Sequence, residues 1–383
     1  MRVSLTIVGG AVAGVIGWSG SPLTLPIAMA FPLLWAAARS RTTAAAVAGA
    51  YFLGASRGLP QGVATYFETG IVLGLGLWIV ASAGFVVVHA ALWSPVAGPG
   101  RAARFGLASV LMAVPPFGIV GWAHPLTAAG VLVPGWGWFG LVVTIIGMLA
   151  LTTRLWAVAL VVLTMAGFWS TVSWTPPAAP VGWTNVHTVL GPSLGRGADP
   201  TQHRALLEIA DRARAGGATV VVLPESAFGL WTPTVARFWT QRLAALDLAV
   251  IGGAVVVDRD GYDSVLVAAD GRSARIIYRQ RMPVPVSMWQ PWRNWIAGSG
   301  GARARPFDNP IVQVAGRRVA PLICYEQLIL WPVLQSMLHA PDIIVATGNG
   351  WWSSGTSIVP IQIASAQAWA RLFGRPLSLA FNY

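Results

Sequence analysis

Apolar residues dominate the first 174 positions, and this feature limits the possible folds more than any other. The chain of 383 residues is 55% apolar and only 10% charged, whereas about 25% of residues are charged in ordinary soluble domains. Only seven of its 25 arginines and one of its 13 acidic residues precede position 175. Such a composition is typical of transmembrane helices, because charged side chains are costly inside a bilayer.

Hydropathy predicts a polytopic α-helical membrane domain over residues 1–174. The predicted spans, about seven in number, are residues 3–18, 22–37, 43–56, 69–92, 104–122, 130–151 and 155–172. A span needs about 20 mostly apolar residues, so the first three are short, and we expect them to be tilted or partly re-entrant. Arg2 precedes the first apolar run, which leaves a signal peptide as an alternative there, although no convincing cleavage site follows.

The placement of the arginines predicts an orientation. Only Arg57 lies in the loops of one side, whereas the other side holds Arg2, Arg39, Arg41, Arg101, Arg104 and Arg154. The positive-inside rule makes this second side cytoplasmic. Seven spans then put residues 175–383 in the periplasm of a Gram-negative bacterium, with the protein in the inner membrane. Few ionisable groups fall within the spans, which argues against a transporter or channel.

Composition also argues against several kinds of ligand. The net charge of +12 is spread over dispersed arginines without a basic run, so no direct nucleic-acid partner is expected. Five scattered histidines and a single cysteine do not make a metal-binding set. The chain also has no P-loop and no dinucleotide-binding fingerprint. We therefore expect neither a metal nor a cofactor.

The second half reads as an α/β domain over residues 175–383, because predicted strands alternate with predicted helices. The predicted strands are residues 218–223, 249–257, 264–269, 275–278, 319–323, 343–347 and 377–381, and the helices are 200–215, 235–246, 327–338 and 358–373. About 209 residues are enough for one sizeable hydrophobic core.

Two predicted strands end in residues with candidate chemistry. Glu225 follows the apolar run Val220–Leu223, and Cys324 follows Pro321–Ile323. Ligands of α/β sheets bind outside the carboxyl ends of the strands, where a carboxylate and a thiol are able to act as general base and nucleophile. The alternatives are that Cys324 is a small buried apolar residue and that Glu225 caps a helix.

Four stretches resemble the nitrilase superfamily, and they look most like its membrane branch, the apolipoprotein N-acyltransferases. They are Leu223–Ala227, Ile323–Glu326, Asn349–Trp352 and Arg371–Leu377. The resemblance implies an αββα nitrilase domain, with Glu225 as general base and Cys324 as nucleophile. It also places Tyr325 and Glu326 in the nucleophile segment, where the Tyr325 N–H would hold an oxyanion. The whole chain further resembles a plasmid-borne relative of this family that acts in conjugal transfer.

One departure from the family concerns its catalytic lysine. The stretch Tyr278–Pro285 resembles the lysine-bearing segment, but Gln280 occupies the lysine position, and the chain has no lysine at all. A donor to an oxyanion is worth about 3–4 kcal/mol, and glutamine donates hydrogen bonds without a charge. Arg279 and Arg281 flank Gln280 and are candidate substitutes, although alternation along a strand would point both away from it.

Several residues around these segments are candidate substrate-binding residues: Trp289, Trp351, Trp352, Arg279, Arg281 and Asn349. Tryptophans of the second half are also candidates for lids that dip into a lipid surface, namely Trp231, Trp239, Trp289, Trp292, Trp295, Trp351 and Trp352. Ordinary core packing is an equally good interpretation of these tryptophans.

The resemblance supports two functions in plasmid conjugation. In the first, Cys324 transfers an acyl group from a membrane phospholipid to a protein amine, on a lipoprotein or a pilin. In the second, the domain is catalytically inactive and binds a lipid, a pilin or a conjugation-channel subunit. The presence of Glu225 and Cys324 favours the enzyme, whereas Gln280 in place of lysine favours the binding role.

Overall fold

The chain divides into a helical unit and an α/β unit. The computed structural model describes residues 2–193, 200–293 and 300–383. The helical unit consists of Met1–Pro177, Leu328–Trp331 and Gly355–Arg375. The α/β unit consists of Ala178–Gln327, Pro332–Ser354 and Pro376–Tyr383. Two short segments of the second half of the sequence therefore belong to the helical unit.

The helices described in the first half are α1 (Arg2–Gly17), α2 (Ala30–Ala37), α3 (Arg41–Ala55), α4 (Leu59–Phe67), α5 (Ile71–Leu92), α6 (Pro99–Ala113), α7 (Ala129–Leu132), α8 (Gly137–Leu151) and α9 (Trp156–Ser173). Those of the second half are α10 (Pro200–Ala215), α11 (Pro233–Leu243), α12 (Leu330–Met337) and α13 (Ile358–Phe373). Helix α13 packs tightly within the helical unit, since a Cβ on Gly130 of α7 would lie 1.8 Å from the Ala368 carbonyl oxygen.

The prediction of a seven-span membrane domain is wrong. Among the described residues, only α5 and α9 are long and apolar enough to cross a membrane, as judged by length and composition. Helix α3 has 15 residues, which at 1.5 Å per residue is about 22 Å, short of a core about 30 Å thick. The periplasmic placement of residues 175–383 depended on counting seven spans, so that count no longer supports it.

Prolines explain why other apolar runs do not form long helices. The run 22–37 contains Pro26 and forms a 3₁₀ segment, Pro22–Met29, before the eight-residue helix α2. The run 104–122 is interrupted after Ala113, where Pro115 and Pro116 follow. Hydropathy registers the apolar side chains of such runs, whereas proline removes the backbone N–H that a continuous helix requires.

The described strands of the α/β unit form two sheets. The first sheet has the order β1 (Trp183–Asn185), β2 (Val220–Val222), β3 (Ala249–Asp258), β4 (Gly261–Ala269) and β5 (Ala274–Arg279). The second has the order β6 (Val312–Val314), β7 (Arg317–Ile323), β8 (Ile343–Asn349) and β9 (Leu377–Asn382). Strands β1–β3 are parallel, as are β7–β9, whereas β3–β5 and the β6–β7 pair are antiparallel.

Alternation along β2 shows how the core forms. Successive side chains of a strand point to opposite faces, and all three residues of β2 are valines. Val221 packs with residues of α10 and α11, whereas Val220 and Val222 pack against β7 and β8 of the second sheet. The two sheets therefore share one apolar layer, and α10 and α11 cover the outer face of the first sheet.

The segment that follows β2 lies directly against β3. The Gly253 N–H donates to the Pro224 carbonyl at 3.0 Å, and the Phe228 N–H donates to the Gly253 carbonyl at 2.8 Å. A Cβ on Gly253 would lie 2.4 Å from the Ser226 nitrogen and 2.6 Å from the Glu225 Cα. Only glycine permits this approach, which fixes the backbone of Glu225 against the sheet.

Replacing Gly253 with alanine is expected to lower the free energy of unfolding by about 1–3 kcal/mol, because the new methyl group overpacks against a backbone that cannot yield. Chemical denaturation measures the loss. Gly100→Ala is the matched control, since nothing lies within 4 Å of a Cβ at that position. Equal stability of Gly253→Ala and the wild type would contradict the close approach.

Candidate active site

Cys324 lies at the carboxyl end of β7, where the chain leaves the second sheet. It is a buried free thiol, and it opens a 3₁₀ turn, Cys324–Gln327. Its φ angle is +50°, in the left-handed region that costs residues other than glycine of order 1–3 kcal/mol. Strain of this kind concentrates at functional sites, so this backbone conformation favours a functional role for Cys324.

Glu225 lies beside Cys324, although the two residues come from different sheets. The Cys324 thiol and the Asn349 backbone N–H both donate hydrogen bonds to the Glu225 carboxylate. Glu225 is buried, and its Oε2 has no partner among the described residues. The structure therefore brings together the carboxylate and thiol that the strand ends suggested, in hydrogen-bond contact.

The electrostatics of Glu225 suit a general base. Burial raises its pKa from 4.5 to about 7, the nearby Glu326 adds to the rise, and the bonds from Cys324 and Asn349 oppose it. Proton transfer is most efficient when the pKa of the base lies near the working pH. At neutral pH a large fraction of Glu225 is thus ready to accept the thiol proton.

Gln280 directly follows β5 and contacts the residue before the nucleophile. Its backbone N–H donates to the Ser264 carbonyl at 2.8 Å, and its Nε2 donates to the Ile323 carbonyl at 3.1 Å. The side chain is buried, and its Oε1 has no partner among the described residues. The position expected to hold a lysine therefore lies beside Cys324 but carries a neutral amide.

Glu326 is fully buried and joins two strand ends. Its carboxylate accepts backbone N–H groups of Ile323 at 2.8 Å, Arg281 at 2.6 Å and Met282 at 3.2 Å. The Tyr278 hydroxyl also donates to it at 2.8 Å. Burial raises the pKa of Glu326, and the Arg281 charge and these hydrogen bonds oppose the rise. These contacts give Glu326 a positioning role for the chain around Cys324 and Gln280.

The two flanking arginines are engaged elsewhere. The Arg281 guanidinium is fully buried, with Nε donating to the Tyr278 hydroxyl at 2.9 Å and its other nitrogens to Gln335, Pro332 and Ser336. Arg279 pairs with the buried Asp263, which also accepts from Arg303 at 3.2 Å. The partners of Arg281 could not be predicted from the local sequence, because they lie about 50 residues further along the chain.

The candidate aromatic residues occupy different environments. Trp351 and Trp352 follow β8 in a 3₁₀ turn, and the Trp352 indole donates to the Asn349 carbonyl at 2.9 Å. Trp289 lines a surface cavity of about 380 Å³ together with Arg303 and Arg305. Trp239 is fully buried in the core of the first sheet, which is a packing role, and Trp292 is 39% exposed. Trp295 lies outside the described residues.

The described residues hold no group of three or more His, Cys, Asp or Glu side chains arranged to bind a metal. Sequence reasoning missed three contributors to the site: Tyr278, which bridges Arg281 and Glu326, Ser264, which accepts the Gln280 N–H, and Asn382, which bonds to Asn349. A polar residue at the end of an apolar strand was the only available signal for Asn382.

Residues 55–371 match the carbon-nitrogen hydrolase family. The match begins within the region predicted as membrane spans, which also contradicts a separate seven-span domain. The chain is 53% identical over 382 residues to a probable conjugal transfer protein TraB of Sinorhizobium fredii, covering 100% of this chain and 98% of that protein. It is 54% identical over 392 residues to the conjugal transfer protein TraB of Agrobacterium fabrum, covering 100% and 93%.

The chain also has more distant similarities. The chain is 28% identical over 172 residues to an apolipoprotein N-acyltransferase of Azotobacter vinelandii, covering 39% of this chain and 31% of that protein. Among solved structures, an amidase from Nesterenkonia sp. aligns with a TM-score of 0.40 and 15% identity, covering 54% of this chain and 78% of that one.

Replacing Glu225 with glutamine is expected to change how stability depends on pH. Because the pKa of Glu225 is raised to about 7, the folded protein keeps a proton that the unfolded chain loses. The free energy of unfolding of the wild type therefore falls as the pH rises from about 4.5 to about 7. Glu225→Gln removes this fall, so its stability relative to the wild type should improve by up to about 3 kcal/mol between about pH 4 and about pH 8.

Denaturant unfolding of both proteins at the two pH values measures the difference. Cys324→Ala is the control, since it keeps the carboxylate and should retain the pH-dependent loss. A constant difference between Glu225→Gln and wild type across this range would show that the folded protein does not hold the proton.

Proposed function

The chain belongs to the carbon-nitrogen hydrolase family, and on that premise we propose that it is a cysteine-dependent acyl- or amide-transfer enzyme of plasmid conjugation. Its relatives that are named conjugal transfer proteins match over nearly their whole length, which supports the role in conjugation. The observation that carries the chemistry is the contact between the Cys324 thiol and a Glu225 carboxylate whose pKa is raised to about 7.

The proposed reaction has two halves. Cys324 Sγ attacks the carbonyl carbon of an acyl donor while Glu225 takes the thiol proton. The tetrahedral intermediate collapses to a thioester, and the leaving group departs with that proton. An amine then attacks the thioester, Glu225 accepts its proton, and the acyl group leaves on the amine. The proton returns from Glu225 to the Cys324 sulfur, so the enzyme ends as it began.

The oxyanion has to be stabilised without a lysine. An amide nitrogen carries two hydrogens. One Nε2 hydrogen of Gln280 goes to the Ile323 carbonyl, and we propose that the second donates to the oxyanion, with the Tyr325 backbone N–H as a further donor. Since a neutral donor replaces a charged one, the turnover we expect is about 10²–10³ lower than with a cation in place.

A membrane phospholipid is the acyl donor that we propose, and a lipoprotein or pilin amine is the proposed acceptor. Support comes from the helical unit, where α5 and α9 are apolar and only 22% and 17% buried. Val72 is 78% exposed and Phe168 is 75% exposed. Apolar faces of this extent mark an interaction site, including one with lipid, so we propose that the protein works at a membrane.

The second candidate function is a catalytically inactive domain that binds a lipid, a pilin or a channel subunit. One observation favours it: the residue beside the nucleophile is the neutral Gln280, while the Arg279 guanidinium pairs with Asp263 and that of Arg281 bonds to Gln335. In that case Glu225 and Cys324 would line a binding cleft and form no covalent intermediate.

A covalent acyl-enzyme is expected when the purified full-length protein is incubated with phosphatidylethanolamine vesicles. Intact-protein mass spectrometry should show the mass of one fatty acyl group, labile to hydroxylamine because a thioester is, on wild type and not on Cys324→Ser. A wild-type protein that stays unmodified would contradict acyl transfer from phospholipid and favour the binding role.

Restoring the cation is expected to speed acylation of Cys324. Gln280→Lys places a positive charge beside the oxyanion and the Glu225 carboxylate, so acylation should rise at least tenfold. The pH midpoint of the rate should also fall, because an adjacent cation lowers the pKa of a carboxylate. Gln280→Met is the matched control, of similar length and uncharged. If the lysine variant acylated no faster than the methionine variant, the missing charge would not be what limits the wild type.

A further inference from the structure

Asn382 is a fully buried amide at the end of β9. Its Oδ1 accepts the Thr188 hydroxyl at 2.9 Å and the Leu190 N–H at 2.8 Å. Its Nδ2 donates to the Gly191 carbonyl at 3.0 Å and to Asn349 Oδ1 at 2.9 Å. These four bonds satisfy both hydrogens and both lone pairs of the amide, which fixes the orientation of the side chain.

The contact with Asn349 leads directly to the proposed base. Asn349 and Asn382 are partners in the β8–β9 register, and the Gly350 N–H donates to the Asn382 carbonyl at 2.7 Å. The Asn349 side chain is therefore held from β9, while its backbone N–H donates to the Glu225 carboxylate. A chain of two hydrogen bonds thus connects Asn382 to Glu225 through one residue.

We propose that Asn382 is a positioning residue for Glu225, which acts by holding the end of β8 so that the Asn349 N–H points at the carboxylate. This inference rests on the proposed function, in which Glu225 takes the Cys324 proton. The four hydrogen bonds of this buried amide allow it to fix a peptide group, because it binds Asn349 at the strand end and also binds the Thr188–Gly191 segment. The Asn349 N–H stabilises the ionised carboxylate, and Asn382 keeps that donor in place.

A positioning role of Asn382 has to be distinguished from a purely stabilising one. A buried residue with four hydrogen bonds stabilises the fold whatever it does for Glu225, so loss of stability proves nothing. A donor that moves away from a carboxylate leaves the ionised form less favoured. Loss of the Asn382 amide should therefore move the pH at which Cys324 becomes reactive, whereas loss of another bond to the same amide should not.

The test measures the rate at which iodoacetamide alkylates Cys324 in the full-length protein, as a function of pH. In the wild type, the plot of this rate against pH should have a limb near pH 7, over which the rate rises. Glu225→Gln should remove this limb. Asn382→Ala and Asn349→Ala should each shift this limb upward by on the order of one pH unit. The double variant should shift it no further than either single change, because both act through one hydrogen bond. Thr188→Val removes a different bond to Asn382 and should leave the midpoint in place.

The outcomes distinguish this inference from the proposed function. If the wild type shows the Glu225-dependent limb and neither alanine variant moves it, the positioning role is wrong and the base remains. If Thr188→Val moves the limb as far as Asn349→Ala does, the effect is general loosening, which also overturns the role. If the wild type shows no Glu225-dependent limb, both the proposed base and its positioning fail. If Asn382→Ala does not fold, the shift of the limb in Asn349→Ala alone decides whether the positioning role holds.

Discussion

The candidate site depends on the hydrogen bonds that the buried Glu326 carboxylate accepts. It accepts backbone N–H groups from the end of β7 and from the chain that follows β5, so one side chain ties together the segments that carry Cys324 and Gln280. A buried carboxylate without partners would cost several kcal/mol. The Tyr278 hydroxyl donates to this carboxylate, and Arg281 donates to the Tyr278 hydroxyl. The Arg281 guanidinium is therefore engaged in this buried network.

Because Arg281 is engaged in this network, it does not supply the positive charge that a lysine would bring to the site. The described contacts of Arg279 and Arg281 lie with Asp263 and with residues 332–336, and Gln280 brings no charge. Burial is the main reason that the pKa of Glu225 is raised to about 7, and the nearby Glu326 adds to the rise. An added cation would lower this pKa and would stabilise the oxyanion, so a site without one combines a strong base with weak oxyanion stabilisation.

The sequence predicted the strands of the second half better than it predicted the helices of the first half. The seven expected strands are all present, and the short strands β1 and β6 were missed because three residues give little pattern. Glu225 and Cys324 were found because each follows an apolar strand. The seven spans were wrong because hydropathy reports composition, whereas Pro26, Pro115 and Pro116 decide where a helix stops. The burial of Arg281 depended on residues 332–336, which no local pattern connects to it.

Helix α13 has a consequence for how this chain folds and for how it can be divided. It lies between β8 and β9 in the sequence, yet it belongs to the helical unit, where Ala368, Trp369 and Leu372 are fully buried. A polypeptide cut near Pro177 would separate this helix from the partners in the first half that cover it. Strand β9, which follows α13 in the chain, would then be attached to a helix that has lost those partners. The two units are thus interlaced along the polypeptide, and neither is a module that recombination could exchange by itself. We expect them to have been inherited, and to reach the native state, as one piece.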